Sequence, residues 1–349
     1  GINSGAVTTA ETLNISTAAA IGITMTEAQY DAFVTGTITA DSDNDTITIA
    51  AGDIVSIATD TGIGAYVIGE DSSDVLTVTV GATDNVNITS ASTTDVITAQ
   101  VAGTYTGTID VGNVAGDTLS LTATADISGA TIDTDMDSLT IASGATATMT
   151  AAQNEAFTGT ITGDDTETIA IKAGTYTTVT TNTAIDAYTL GEEVGNAVTV
   201  VVGATDNVNI TSASTTDVIT AQVAGTYTGT IDVGNVAGDT LSLTATADIS
   251  GATIDTDMDS LTIANDATVT MTGTQYAAFS ETITAGGTGE GITLSTDTVA
   301  IGTAHAAIET YTTADGTNSI TLSAVGQNVT GGTGNDTVSV AGLTATGTL

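Results

Sequence analysis

The sequence predicts an all-β protein, an elongated repeat array of the β-solenoid or β-roll type, with tandem β-sandwich domains as the alternative. Residues 80–142 recur without a change as residues 202–264, which sets a repeat period of about 122 residues. Short runs that alternate aliphatic and hydroxyl residues follow one another about every ten residues, separated by Gly, Asp, Asn and Ser. The chain is 41% apolar, so it can bury a core despite a formal net charge of −40.

The alternating runs are the predicted strands. Residues 46–49 (Thr-Ile-Thr-Ile), 76–80 (Leu-Thr-Val-Thr-Val), 119–122 (Leu-Ser-Leu-Thr) and 139–141 (Leu-Thr-Ile) are examples. Successive side chains of a strand point to opposite faces, so these runs place aliphatic groups on one face and hydroxyls on the other. Threonine suits the half-exposed face because its branched side chain is stiff and its hydroxyl tolerates water.

One non-β segment occurs three times, as residues 25–33, 149–157 and 271–279. Each contains a Thr followed three residues later by Gln, which is the pattern of a helix capping box. We therefore expect a single helical turn whose Met and Phe close the end of a core layer. The capping pairs are Thr26 with Gln29, Thr150 with Gln153, and Thr272 with Gln275.

These segments set the predicted phase of the repeat. Residues 1–24 form an N-terminal partial unit, 25–148 unit one, 149–270 unit two, and 271–349 a partial third unit. The start, Gly1-Ile2-Asn3-Ser4, has no signal segment and no initiator Met, so we expect a mature form or a fragment.

The excess of acidic residues predicts that the protein binds cations. The chain has 41 Asp and Glu but only one Lys or Arg, Lys172, so salt bridges cannot neutralise the acids. Two carboxylates brought close together repel by roughly 1 kcal/mol at 4 Å even in water. Ca²⁺ is the expected partner because it takes oxygen ligands from carboxylates and carbonyls. The alternative is that the acids only keep the protein soluble.

The same inventory excludes several classes of protein. The absence of cysteine excludes disulfides and thiolate chemistry. Nucleic acids and anionic membranes need a basic face, so neither is an expected partner. No apolar run is long enough to cross a bilayer, and membrane insertion is not expected.

Residues 331–339 read Gly-Gly-Thr-Gly-Asn-Asp-Thr-Val-Ser and fit the nonapeptide G-G-x-G-x-D-x-U-x at every position. This segment resembles the calcium-binding repeat of RTX proteins, a secreted Gram-negative family that includes toxins, proteases, adhesins and surface-layer proteins. The resemblance implies a tight turn made by Gly331, Gly332, Gly334 and Asn335, an ion held by Asp336, and Val338 in the core. Residues 286–291 (Gly-Gly-Thr-Gly-Glu-Gly) are a looser version. The alternative is that Gly, Asn and Asp simply make a hairpin turn.

A second acidic pattern, D-x-D-x-D, is independent of that resemblance. In a strand the three carboxylates would share one face, and in a loop they can converge on one cation, so both geometries favour cation binding. A solvated acidic turn is the alternative. The pattern does not continue into an EF-hand. Its residues, the remaining predicted metal ligands, are Asp41, Asp43 and Asp45, then Asp133, Asp135 and Asp137, then Asp255, Asp257 and Asp259.

Catalytic groups are scarce, and the sequence predicts that the chain is not an enzyme. The only histidine is His305, which lies among Ala residues and has the surroundings of a surface or packing residue. A metalloprotease needs a second His, and a Ser-His-Asp triad needs distinctive Ser surroundings that are missing. Glycosidases line their sites with aromatic residues, which make up only 3% here.

These observations predict a secreted, cell-surface structural protein, of bacterial type by its resemblance. It would be a subunit of a surface layer, filament or large adhesin, stiffened by Ca²⁺ and assembled with copies of itself, with cell-surface polysaccharide as a further partner. The alternative is a binding module for glycan or ice. It would use Thr-x-Thr pairs, such as Thr37 with Thr39, Thr46 with Thr48 and Thr77 with Thr79, stacked in register on one exposed face.

Overall fold

The computed structural model describes residues 12–15, 19–34, 37–40, 45–51, 56–69, 75–90, 92–157, 159–164, 166–192, 197–212, 214–279, 282–296 and 300–340. The chain divides into two compact units, residues 1–170 and residues 171–349. Both units are parallel β-solenoids, so the all-β prediction is confirmed and the solenoid, rather than the sandwich, is the architecture. Together they contain about 14 turns.

Strands of the first unit are short, as the turn residues between them require. They are β1 (Thr12–Ile15), β2 (Gly22–Met25), β3 (Thr37–Ala40), β4 (Thr46–Ile49), β5 (Ser56–Ala58), β6 (Ala65–Ile68), β7 (Val75–Thr79), β8 (Asn87–Ser90), β9 (Val96–Thr104), β10 (Thr108–Asp110), β11 (Thr118–Asp126), β12 (Thr131–Ile132), β13 (Ser138–Ile141), β14 (Thr146–Met149) and β15 (Ile161–Thr162). Strand β16 (Thr168–Ile171) lies where the two units meet in sequence.

Strands of the second unit repeat this plan. They are β17 (Thr178–Thr180), β18 (Ala187–Leu190), β19 (Ala197–Val201), β20 (Asn209–Ser212), β21 (Val218–Thr226), β22 (Thr230–Asp232), β23 (Thr240–Asp248), β24 (Thr253–Ile254), β25 (Ser260–Ile263), β26 (Thr268–Met271), β27 (Ile283–Ala285), β28 (Gly291–Leu294), β29 (Gly302–Thr303), β30 (Thr310–Thr312), β31 (Ser319–Thr321), β32 (Asn328–Thr330) and β33 (Thr337–Ser339). The strands of the identical segments, β8 to β13 and β20 to β25, have the same bounds once shifted by 122 residues.

Most strands that follow one another along the chain belong to different sheets, because the chain coils from one sheet to the next. In the first unit, one sheet has the order β12-β10-β8-β6-β4-β2, and another runs through β11, β9, β7 and β5. In the second unit, one ladder runs β24-β22-β20-β18, and another runs from β17 through β19, β21, β23, β26, β28 and β30 to β32. Strands β29, β31 and β33 make a third, three-stranded sheet.

The core consists of aliphatic columns that run from turn to turn. In the first unit Ile47, Tyr66, Ile88 and Ile109 are register partners and have no exposed surface. The second unit stacks Val179, Val200, Ala221, Leu241 and Leu261 in the same way. Burying each large aliphatic side chain contributes roughly 1.5–3 kcal/mol, and each turn buries its aliphatic side chains against the next.

The three predicted helical segments form helices, α1 (Glu27–Val34), α2 (Ala151–Phe157) and α3 (Gly273–Phe279). Each has about two turns rather than the single turn predicted, because the helix continues to a Phe that packs in the core. The capping boxes are present. In α2 the Thr150 N–H donates to Gln153 Oε1 at 2.8 Å, and the Gln153 N–H donates to Thr150 Oγ1 at 3.2 Å.

Candidate cation-binding corners

An acid lies directly before many of the strands, at the corner where the chain enters a sheet. Asp45 precedes β4, Asp117 precedes β11, Asp239 precedes β23 and Glu290 precedes β28. All four side chains have no exposed surface. We call such a position, with its register partners in the neighbouring turns, a corner rung. Of these four, Asp45 is a predicted metal ligand and Glu290 lies in the looser glycine turn, whereas Asp117 and Asp239 belong to no predicted site.

Three of these four carboxylates accept a hydrogen bond from the backbone of the preceding turn. Asp45 Oδ1 accepts from the Ile21 N–H at 2.9 Å, Asp117 Oδ1 from the Ile97 N–H at 2.6 Å, and Asp239 Oδ1 from the Ile219 N–H at 2.7 Å. A buried N–H group without an acceptor destabilises the fold. The carboxylate therefore accepts the hydrogen bond that a backbone carbonyl of a neighbouring strand would otherwise accept. Much of the acidity therefore has a structural use that composition alone did not reveal.

The remaining oxygens of these rungs are buried without a hydrogen bond. This holds for the Oδ2 atoms of Asp45, Asp117 and Asp239, and for both oxygens of Glu290. Burial raises the pKa of the Asp117 carboxyl, and the charges of Asp137 and Asp135 raise it further, against the lowering effect of the Ile97 and Val114 N–H groups. Each of these oxygens lacks a hydrogen-bond partner and can bind a proton or a cation.

The predicted ligands Asp133, Asp135 and Asp137 lie in one loop but do not converge on a common point. Asp133 Oδ1 accepts from the Asp135 N–H at 3.3 Å, and Asp135 Oδ1 accepts from Asn113 Nδ2 at 3.0 Å. Asp137 Oδ2 accepts from the Asp117 N–H at 3.2 Å, so Asp137 is the corner-rung neighbour of Asp117. The Met136 side chain between them is buried.

The second copy has the same arrangement. Asp257 Oδ1 accepts from Asn235 Nδ2 at 2.9 Å, and Asp259 Oδ2 accepts from the Gly238 N–H at 2.5 Å. Asp255 Oδ1 accepts from the Asp257 N–H at 3.3 Å. Asp41 and Asp43, from the third predicted set, lie outside the described residues.

The two fully described D-x-D-x-D loops, at residues 133–137 and 255–259, each face an acid of the preceding turn. Burial raises the pKa of Asp110, and contact with the Asp133 carboxyl and the charge of Asp135 raise it further. The pKa of Asp232 is raised in the same way, by burial and then by Asp255 and Asp257. Within the described part of the chain, no three His, Cys, Asp or Glu side chains are placed together to hold a metal ion.

The nonapeptide turn is built as tightly as its glycines suggest. Gly334 has φ +138° and forms a bridge with Gly316 of the preceding turn, where a Cβ atom would lie 1.8 Å from the Gly316 carbonyl oxygen. A Cβ atom on Gly332 would lie 2.4 Å from the Ala314 oxygen. Asn335 is exposed in the same turn, and the next strand, β33, begins at Thr337. Val338 is half-buried and is the register partner of the buried Ile320.

At this turn an amide group lies between the carboxylate and a neighbouring carbonyl. Asn318 Nδ2 donates to Asp336 Oδ1 at 2.9 Å and to the Ala314 carbonyl at 2.7 Å. The Asn318 N–H also donates to Asp336 Oδ1, at 3.2 Å. Gly331 has no side chain, and a Cβ atom there would lie 2.3 Å from Asp336 Oδ2. The neutral amide of Asn318 thus bridges the two oxygens, as a cation between them would.

The last turns are shorter than the others. Thr310 pairs with Asn328 and Ser319 pairs with Thr337, an offset of 18 residues in both cases, whereas Ala65 pairs with Asn87, an offset of 22. Two nonapeptides also make 18 residues. Glu290 belongs to the looser glycine turn at residues 286–291, and its N–H donates to Glu309 Oε2 of the next turn at 3.0 Å.

His305 is half-buried and hydrogen-bonded to nearby residues of the chain. Its N–H donates to Tyr311 Oη at 2.8 Å, and its Nδ1 accepts from the Ala307 N–H at 3.3 Å. Burial lowers the pKa of His305. His305 also lines a cavity of about 400 Å³, together with aliphatic, Gly, Thr and Ser residues and no carboxylate.

Comparison with protein-family models, with curated proteins and with solved structures gives no match to this chain. None of the described helices has the length and apolar character needed to cross a membrane.

Proposed function

We propose that this chain is a structural subunit of an extracellular array, such as a surface layer, a filament or a large adhesin at the bacterial cell surface. One observation carries the proposal. The two identical 63-residue segments form the same strands with the same corner contacts, although each is embedded in different flanking sequence. Each turn therefore depends on its nearest neighbours only, which is the property of a structure that lengthens by adding units.

We further propose that Ca²⁺ stiffens the corner rungs. The chain has no supply of basic side chains, and the free oxygens of Asp117, Asp239 and Glu290 are buried. Calcium takes carboxylate and backbone carbonyl oxygens together, so a rung with one or two acids has the right donor chemistry. The resemblance of residues 331–339 to the RTX repeat supports the same ion and a secreted location.

Self-association is the expected mode of assembly. A parallel ladder leaves unpaired N–H and C=O groups at its last strand, and these groups favour pairing with another copy of the same edge geometry. Neutralising the acids with Ca²⁺ would reduce repulsion between copies that each carry a formal charge of −40.

Light scattering and negative-stain microscopy, with 5 mM CaCl₂ or with EDTA at matched ionic strength, test the proposal. We expect filaments or sheets in calcium and smaller particles in EDTA. MgCl₂ serves as the control for a general effect of divalent charge. A monomer in both buffers at high protein concentration would contradict the proposed function.

A further inference from the structure

One sheet face in each unit carries hydroxyl groups in register from turn to turn. In the second unit the row is Thr178, Thr199, Thr220, Thr240 and Ser260, which are successive Cα partners. In the first unit it is Ser56, Thr77, Thr98, Thr118 and Ser138. All ten side chains are exposed or half-buried and lie opposite the core. We call these the hydroxyl rows.

A second row lies two residues further along the same strands. In the second unit it contains Thr180, Val201, Gln222, Ser242, Thr262 and Thr284, and in the first unit Ala58, Thr79, Gln100, Ser120, Thr140 and Thr162. Each unit therefore presents a two-row net of mostly Thr and Ser. The Thr46 and Thr48 pair is different, because its neighbours in β6 are Ala65 and Val67.

The net has fixed dimensions. Neighbouring strands lie roughly 4.8 Å apart, and alternate residues of one strand about 6.6 Å apart. Two neighbouring pairs of hydroxyls bond to each other, at 2.8 Å between Thr240 Oγ1 and Ser260 Oγ and at 2.9 Å between Thr118 Oγ1 and Ser138 Oγ, so these oxygens lie closer together than the strands that carry them. Threonine is stiff at χ1, so its methyl and hydroxyl positions repeat with the backbone.

The chemistry of the face limits what it can bind. No acid lies in either pair of rows, although the chain has 41, and the sheet containing β10 presents Asp110 on its outer face. A neutral face matches a neutral ligand and gives a cation or a polyelectrolyte no counter-charge. All eight tyrosines are buried, so no aromatic ring is available on the face to stack against a sugar.

We propose that these faces bind ice. The inter-strand spacing of the net is close to one repeat of the oxygen atoms on a prism face of hexagonal ice. The hydroxyls would hydrogen-bond the first layer of lattice water, and the methyl groups between them would order that layer without displacing it. Adsorption along a whole row multiplies weak contacts, because every turn adds an equivalent one.

Ice affinity of the full chain and the freezing hysteresis of its solutions test the inference. Thr98→Tyr with Thr220→Tyr puts a bulky side chain in the middle of both hydroxyl rows while keeping strand propensity. Thr89→Tyr with Thr211→Tyr is the matched control, because these residues also face outward but lie next to Asp110 and Asp232. Circular dichroism melting verifies that both double variants fold.

We expect the wild type and the control to partition into growing ice and to show hysteresis, and the hydroxyl-row variant to lose at least ten-fold of both. Absence of hysteresis and of ice partitioning in the wild type would overturn the inference, as would equal loss in the two variants. Retention on microcrystalline cellulose or chitin without retention in ice would also overturn it. None of these outcomes depends on array formation, which is measured separately by light scattering.

Discussion

Asp117 and its copy Asp239 show how an acid can belong to a solenoid core. Each has no exposed surface, and one carboxylate oxygen accepts from a backbone N–H of the preceding turn. A hydrogen bond to a charged acceptor contributes about 1.5–3 kcal/mol, which offsets part of the cost of burying the charge. The second oxygen has no such bond, and we propose that a proton or a cation binds there.

Removing the acceptor should destabilise the fold more than removing the charge. We expect Asp117→Ala with Asp239→Ala to lower the free energy of unfolding by about 1–3 kcal/mol per site, because the Ile97 and Ile219 N–H groups lose their partner. Asp117→Asn with Asp239→Asn keeps an oxygen acceptor and is the matched control. Urea unfolding measures both, and equal losses in the two variants would contradict the role of the hydrogen bond.

Lowering the pH should stabilise this protein as the pH falls through the raised folded pKa values of Asp110 and Asp232 towards about 3.9. The raised pKa values of Asp110 and Asp232 mean that the folded state holds a proton more tightly than the unfolded chain. Their stabilising contribution is fully present below the unfolded pKa of about 3.9 and is lost as the pH rises through the higher folded value. Melting temperature in EDTA should therefore fall as the pH rises.

The variant Asp110→Asn with Asp232→Asn should melt at a higher temperature than the wild type at pH 8 and show a flatter pH profile. Asp164→Asn is the control with the opposite sign, because the hydrogen bond that Thr166 Oγ1 donates to Asp164 Oδ1 lowers the pKa of Asp164. A wild-type melting temperature that rises steadily from pH 4 to pH 8 would contradict the assignment.

At the scale of elements, one glutamine ties each of α2 and α3 to the turn before it. Gln153 Nε2 donates to the carbonyls of Ile127 at 2.8 Å and Ala130 at 3.2 Å. Gln327 makes the same pair of bonds, to His305 and Ile308, where the chain forms no helix. The glutamine, rather than the helix, is thus the recurring feature of this corner.

We expect Gln153→Glu with Gln275→Glu to destabilise the fold by roughly 1–3 kcal/mol per site, because a carboxylate would face two carbonyl oxygens. The capping acceptor for the Thr150 N–H is kept in this variant, so loss of the cap is not the cause. Gln100→Glu, at a half-buried position on the outer face of β9, is the control. Urea unfolding that leaves the three proteins equal would show that the glutamine bonds carry no stability.

The sequence predicted the strand runs, the three helical segments and the glycine turn, because alternation, the Thr-x-x-Gln box and Gly spacing are local signals. It did not predict the corner rungs, since Asp117 reaches the backbone of a residue 20 positions earlier. An acid directly before a Thr- or Ser-led strand, as in Asp117-Thr118 and Asp137-Ser138, was the available signal. The sequence also could not show whether the D-x-D-x-D carboxylates converge on one point, because that depends on the conformation of the loop.

At the scale of the whole molecule, repetition and charge act against each other. Each added turn buries another aliphatic layer, and it also adds acids that no basic side chain can pair. Backbone N–H groups satisfy one oxygen of Asp45, Asp117 and Asp239. We propose that Ca²⁺ satisfies the others, which would make the stability of the protein dependent on the ion.

Thermal melting of the full chain at pH 7.5, in EDTA and in increasing CaCl₂ at constant ionic strength, tests that claim most directly. We predict a melting temperature that rises with Ca²⁺ and saturates, with a smaller rise in MgCl₂, and a reduced calcium response in the Asp117→Asn with Asp239→Asn variant. A melting temperature that is the same in EDTA and in millimolar Ca²⁺ would contradict it.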